Sequence, residues 1–150
     1  MRNIWTTGAL LALSTLFSFS LHAQDDEWDI TADHGDYVEV TFETDEGTWL
    51  NLDVSPDDKT IVFDLLGDIY KMPISGGKAE VIAQGRAWEV QPRFSPDGSQ
   101  ILFTSDRGGG DNIWIMDADG SNKKALTDES YSRLNNANWR PDGEKFIARK

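Results

Sequence analysis

Four stretches of this chain carry residue types that could do chemistry. Asp117, Asp119 and Ser121 stand at alternate positions, as the opening oxygen ligands of a calcium loop do. Such a loop needs Gly at its sixth position and Glu at its twelfth. Asn122 and Asp128 stand there instead, so the stretch reads as a hairpin turn. Asp106-Arg107-Gly108-Gly109-Gly110-Asp111 is a glycine loop. It lacks the Lys-Ser/Thr pair that a phosphate cradle requires, and reads as a long loop between strands. His34 lies in an acidic segment with no second histidine near it. Metal-assisted hydrolysis needs several converging ligands and an open position for water, so His34 reads as a surface residue. No serine occupies a Gly-x-Ser-x-Gly elbow, so no nucleophile presents itself. We therefore assign no catalytic, metal-ligating or cofactor-binding residue to this chain. Trp88, Glu89 and Arg93 are the candidate ligand-facing residues. Trp88 lies in the connection before Pro92, where loops between repeat units would surround a mouth, and Glu89 and Arg93 are grouped with it.

The elements that would position these residues come from a repeat. Ser-Pro-Asp begins it at Pro56 and Pro96, and Arg-Pro-Asp at Pro141, giving spacings of 40 and then 45 residues. An apolar residue stands two positions before each proline: Val54, Phe94 and Trp139. An apolar run follows in each copy: Ile61-Val62-Phe63, Ile101-Leu102-Phe103 and Phe146-Ile147-Ala148. Further on, Asp68-Ile69-Tyr70-Lys71-Met72 matches Asn112-Ile113-Trp114-Ile115-Met116. A period of about 40–45 residues with four strand-like segments per unit is the mark of a β-propeller blade.

Pro fixes φ for the second position of a type I turn, and Asp and Gly suit the positions after it. Ser95-Pro96-Asp97-Gly98 is thus a tight turn, and Asp58 in place of that Gly carries little cost on this reading. Ile, Val, Phe, Trp and Tyr dominate the flanking segments, as they do in strands. The predicted strands of the first blade are 51–54, 60–65, 68–73 and 79–83. Those of the second are 92–95, 100–105, 112–117 and 124–127. The third supplies only 137–140 and 145–149. Trp114 and Trp139 fall at repeat positions that pack between blades. The fold class is all-β, a partial β-propeller of two four-stranded blades and the first half of a third. No stretch sustains helical apolar spacing over three turns outside the leader.

The propeller part, 48–150, follows two other segments. Residues 1–23 carry one basic side chain, Arg2, then an uncharged apolar run and a small residue, Ala23. That is the layout of a signal peptide cleaved after Ala23, with an uncleaved anchor as the alternative. Residues 24–47 are an acidic lead-in containing one alternating segment, Tyr37–Phe42, that reads as a strand. It could complete a blade supplied by the other end of the chain. Propellers close with 4–8 blades, so the chain reads as the front of a longer protein, and the rest of its own chain is its first expected partner.

The formal net charge is −12, with 26 Asp and Glu against 14 Lys and Arg. A surface of that sign does not fit nucleic acid or docking on an anionic membrane after signal cleavage. There is no cysteine, so disulfides, thiolate nucleophiles and cysteine metal sites are excluded.

The repeat resembles the WD40-like repeat of TolB-type β-propellers over about Trp49–Lys150. Other stretches are similar to exported bacterial amidohydrolase-family proteins with an N-terminal TolB-like propeller: Trp28-Asp29-Ile30-Thr31, Thr44–Trp49, Val62–Tyr70 and Ser105–Trp114. That resemblance implies an exported, periplasmic or extracellular chain whose propeller gates or orients substrate. It also implies a downstream hydrolase domain acting on C–N bonds with a divalent metal such as zinc. None of that domain's ligands fall on these residues. Two alternatives stand beside it: a non-catalytic interaction propeller binding envelope proteins, and the propeller of a prolyl-oligopeptidase-type serine peptidase.

Overall fold

A computed structural model describes residues 29–150. The predicted signal peptide lies outside the described residues. Two complete antiparallel sheets of four strands each form in chain order. The first blade comprises β1 (Leu52–Val54), β2 (Thr60–Leu65), β3 (Asp68–Pro73) and β4 (Glu80–Ala83). The second comprises β5 (Glu89–Phe94), β6 (Gln100–Ser105), β7 (Asn112–Asp117) and β8 (Lys124–Ala125). β9 (Asn135–Trp139) and β10 (Phe146–Arg149) pair as the opening of a third. Among the described residues every regular element is a strand.

The period-two alternation decides what each strand buries. In β6, Ile101 and Phe103 face back onto blade one, where they join Val62, Ile69, Ile82 and Ala83 in one core cluster with Phe94 and Met116. Leu102 faces the other way and packs with Ile113, Ile115 and Ala137 against the third unit. Trp114 packs on the first cluster, and Trp139 on the second, as their repeat positions predict. The same alternation leaves Phe63 and Tyr70, which face away from blade two, only half-buried and stacked on each other with centroids 5.6 Å apart.

Each blade turns on its proline motif. Ser95 Oγ donates to Asp97 Oδ1 at 2.6 Å and accepts from Gln100 N at 2.9 Å, while Gly98 N donates to Ser95 O. Ser55 and Asp57 repeat the arrangement in blade one. The residue closing the turn is left-handed in all three copies: Asp58 at φ 59°, Gly98 at 73° and Gly143 at 71°. This corrects the sequence expectation, because the position favours glycine and Asp58 is held there under strain.

Two further expectations change. Tyr37–Phe42 is not a strand; Tyr37, Val38, Val40 and Phe42 are all exposed. Alternation is necessary for a half-buried strand, but without a neighbouring edge to bond it forms no ladder. The inner strand of blade two begins at Glu89 rather than Pro92. A bulge between Val90 and Arg93, with Gln91 at φ 60°, interrupts the regular pairing there and hides the strand from a period-two reading.

Candidate ligand-facing rim

The three sequence candidates lie on or just before one strand, β5, yet they do not converge. Trp88 lies over the β2–β3 turn. A Cβ on Gly67 would come within 2.6 Å of its ring, so glycine is required there for the indole to lie flat. The Trp88 amide donates to Asp106 Oδ1 at 2.8 Å, and the residue remains 56% exposed. It is the one candidate of the three that faces solvent broadly.

Glu89, the next residue, is fully buried. Its Oε1 accepts from Arg107 Nη2 at 2.5 Å and Nε at 3.1 Å, while Oε2 has no hydrogen-bond partner. Burial pushes its carboxyl above the ordinary glutamate range, against the pull of Arg107 and Lys123. Glu89 is thus an internal clamp on the glycine loop, not a ligand-facing residue. The charge has to be paired because the strand alternation drives residue 89 into the space between blades.

Arg93 lies at the opposite end of β5. Its Nη1 donates to Leu52 O at 3.2 Å and Pro92 O at 2.7 Å, so it joins the inner strands of blades one and two. It also lines a shallow groove of about 320 Å³ with Asp53 and Trp139.

The glycine loop and the Asp117–Asn122 stretch resolve as turns. Gly109 N donates to Asp106 O at 2.8 Å. Asp117 Oδ2 accepts from Asn122 Nδ2 at 2.6 Å, and Asp119 Oδ1 from Ser121 N at 2.8 Å. His34 bonds the carbonyl of Asp29 through Nε2 in the exposed lead-in. Among the described residues no group of three or more His, Cys, Asp or Glu could hold a metal ion.

Polar residues missed by the sequence reading lock one blade to the next. Buried Asp64 accepts from Asn51 N at 2.9 Å, from Asn51 Nδ2 at 2.8 Å and, across the blade boundary, from Gln91 N at 2.7 Å. Gln91 Oε1 in turn accepts from Thr104 Oγ1 at 3.0 Å and from Asn136 N at 2.7 Å. Asp53 Oδ2 accepts from Phe94 N at 2.8 Å. The available signal was Asp64 itself, a carboxylate set between Phe63 and Leu65 inside an apolar run.

The family model of the tricorn protease N-terminal beta propeller domain matches residues 22–150. "Tricorn protease homolog 1" of Streptomyces coelicolor is 28% identical over 88 residues, 59% of this chain and 8% of that protein. "Uncharacterized peptidase YuxL" of Bacillus subtilis is 38% identical over 64 residues, 42% of this chain and 10% of that one. The chain thus spans a tenth or less of either peptidase relative. Among solved structures, "putative TolB from Agrobacterium tumefaciens" superposes with a TM-score of 0.62 at 30% identity, covering 69% of this chain and 39% of that one.

Proposed function

Since the chain belongs to the tricorn protease N-terminal β-propeller family, we propose that it is the propeller segment of an exported, periplasmic peptidase. In this reading the blades orient or admit polypeptide to a hydrolytic domain further along the protein. The observation that carries it is the alignment of residues 22–150 with that propeller family, joined to two relatives that are named as peptidases. The described residues fit a supporting role. Asp64 is engaged in a blade lock, Asp97 in a turn and Glu89 in a buried ion pair. The peptidase alternative is better supported than the metal-dependent amidohydrolase, for which the matches to this chain offer no support.

The test is hydrolysis by the full-length gene product. Cleavage of a quenched fluorescent peptide library that is blocked by a serine-directed phosphonate supports the peptidase. Chelator-sensitive hydrolysis of small cyclic amides, without peptide cleavage, would return the amidohydrolase reading. The likeness to the TolB structure favours one second reading, a non-catalytic propeller that binds envelope proteins. Absence of both activities, with a specific partner recovered by cross-linking, would select it.

A further inference from the structure

The two ends of the blades differ in charge and in exposed aromatic surface. One end gathers the segments 29–51, 66–68, 84–89, 105–112 and 127–134. Topology places these together, since they precede or follow strands at the same edge. The contacts agree: Trp88 lies on Gly67, Asp106 accepts the Trp88 amide, Arg86 reaches both Asp33 and the Tyr37 ring, and Asn112 bonds Glu129 O. These segments carry thirteen Asp and Glu against three Lys and Arg. Lys150, which follows β10 at this edge, is a fourth cation, and all four are already spent within the rim: Arg86 on Asp33, Arg107 on Glu89, Arg133 on Asp111 and Lys150 on Glu129. The opposite end, made of the segments 55–59, 73–79, 95–99, 117–124 and 140–145, carries seven acidic and six basic residues.

The acidic end also displays one large aromatic before the inner strand of each unit: Trp49 before β1, Trp88 before β5 and Tyr131 before β9. Trp49 is 98% exposed and Tyr131 97%. Trp49 holds a left-handed backbone, φ 58°, an uncommon conformation for a bulky residue. Solubility accounts for the carboxylates alone, but it disfavours an exposed aromatic on every unit.

From the aromatic rim and its charge we infer that this end docks a Lys/Arg-rich polypeptide segment. Aromatic faces attract ammonium and guanidinium groups, and the surrounding carboxylates supply the complementary field that steers and retains them. Nucleic acid and anionic lipid are repelled by the same field. The inference does not rest on the peptidase reading, because it concerns binding at the rim whether or not cleavage follows.

The experiment is calorimetric titration of the full-length protein with octalysine, acetylated octalysine and octaglutamate. Octalysine is expected to bind and the other two are not, with binding lost at about 0.5 M salt. Trp49→Ala combined with Tyr131→Ala should weaken octalysine binding about tenfold without changing the melting temperature, because both rings lie in solvent. Asp45→Asn combined with Asp128→Asn provides a second route to weakened binding without touching an aromatic. Three outcomes overturn the inference: no octalysine binding, equal binding of acetylated octalysine, or binding that the aromatic double variant leaves unchanged. The last would mark simple polyelectrolyte attraction.

Discussion

Glu89 and Arg107 show how one buried charge is managed. The carboxylate is wholly out of water and satisfied on one oxygen only. Removing its partner with Arg107→Ala should cost about 3 kcal/mol, because an uncompensated buried charge remains; chemical denaturation of the two proteins measures this. The pH dependence has a definite sign. The carboxyl is raised in the folded state, first by burial, so the folded protein binds that proton more readily than the unfolded chain. Glu89 therefore favours folding at low pH, and its contribution declines as pH rises from the ordinary glutamate range through the folded value. Asp97 acts oppositely: hydrogen bonds from Ser95 and Ser99 lower its pKa to about 2, so its contribution is present above the ordinary aspartate range and lost as pH falls toward 2. Melting curves across pH should show Glu89→Gln flattening the decline on the alkaline side of the glutamate range while leaving the acid limb intact. An unchanged profile would rule out Glu89 as its source.

At the scale of the element, the proline turn sets the strongest local demand. Gly98→Ala meets two obstacles: φ 73°, and a Cβ that would stand 3.3 Å from Pro56 Cδ of the preceding blade. It should cost about 1–2 kcal/mol, measured by urea denaturation. Asp58→Gly relieves the same backbone strain and gives back part of the gain through a freer unfolded chain. It should stabilise by about 0.5 kcal/mol. Strands β2, β3, β6 and β7 were legible to the residue because their apolar runs and turn residues agree. β5 was only partly legible, since the Gln91 bulge breaks its alternation. Tyr37–Phe42 misled because alternation says nothing about whether a neighbouring edge exists. Among the site candidates, the exposure of Trp88 was legible from its place in a connection. The burial of Glu89 was not, because its partner Arg107 is eighteen residues away in a loop that read only as a long connection between strands.

Across the whole molecule, equivalent positions have unequal surroundings. Phe103 is fully buried between blades, while Phe63, one repeat earlier, is half-buried on the outer face of blade one. In residues 29–150 expressed alone, Phe103→Ala should cost about 3–5 kcal/mol and Phe63→Ala about 1 kcal/mol. If a longer form of the protein seats another blade on that face, the two costs should converge there. Thermal denaturation of both variants and their parent in each form gives the comparison, and equal costs in residues 29–150 would contradict the packing described.

The locks between blades have a direction. Blade one supplies the acceptors, Asp53 and Asp64, and blade two supplies the donors, the backbone amides of Phe94 and Gln91. Gln91 then becomes the acceptor for the amide of Asn136. A chain emerging amino-terminus first therefore exposes these receiving groups before the strand that will fill them has been made. A waiting carboxylate or amide oxygen is well solvated, and Asp64 is already oriented by Asn51. Assembly is in this sense vectorial: each finished unit is a template for the one still to arrive, so growth of the ring can follow the order of synthesis.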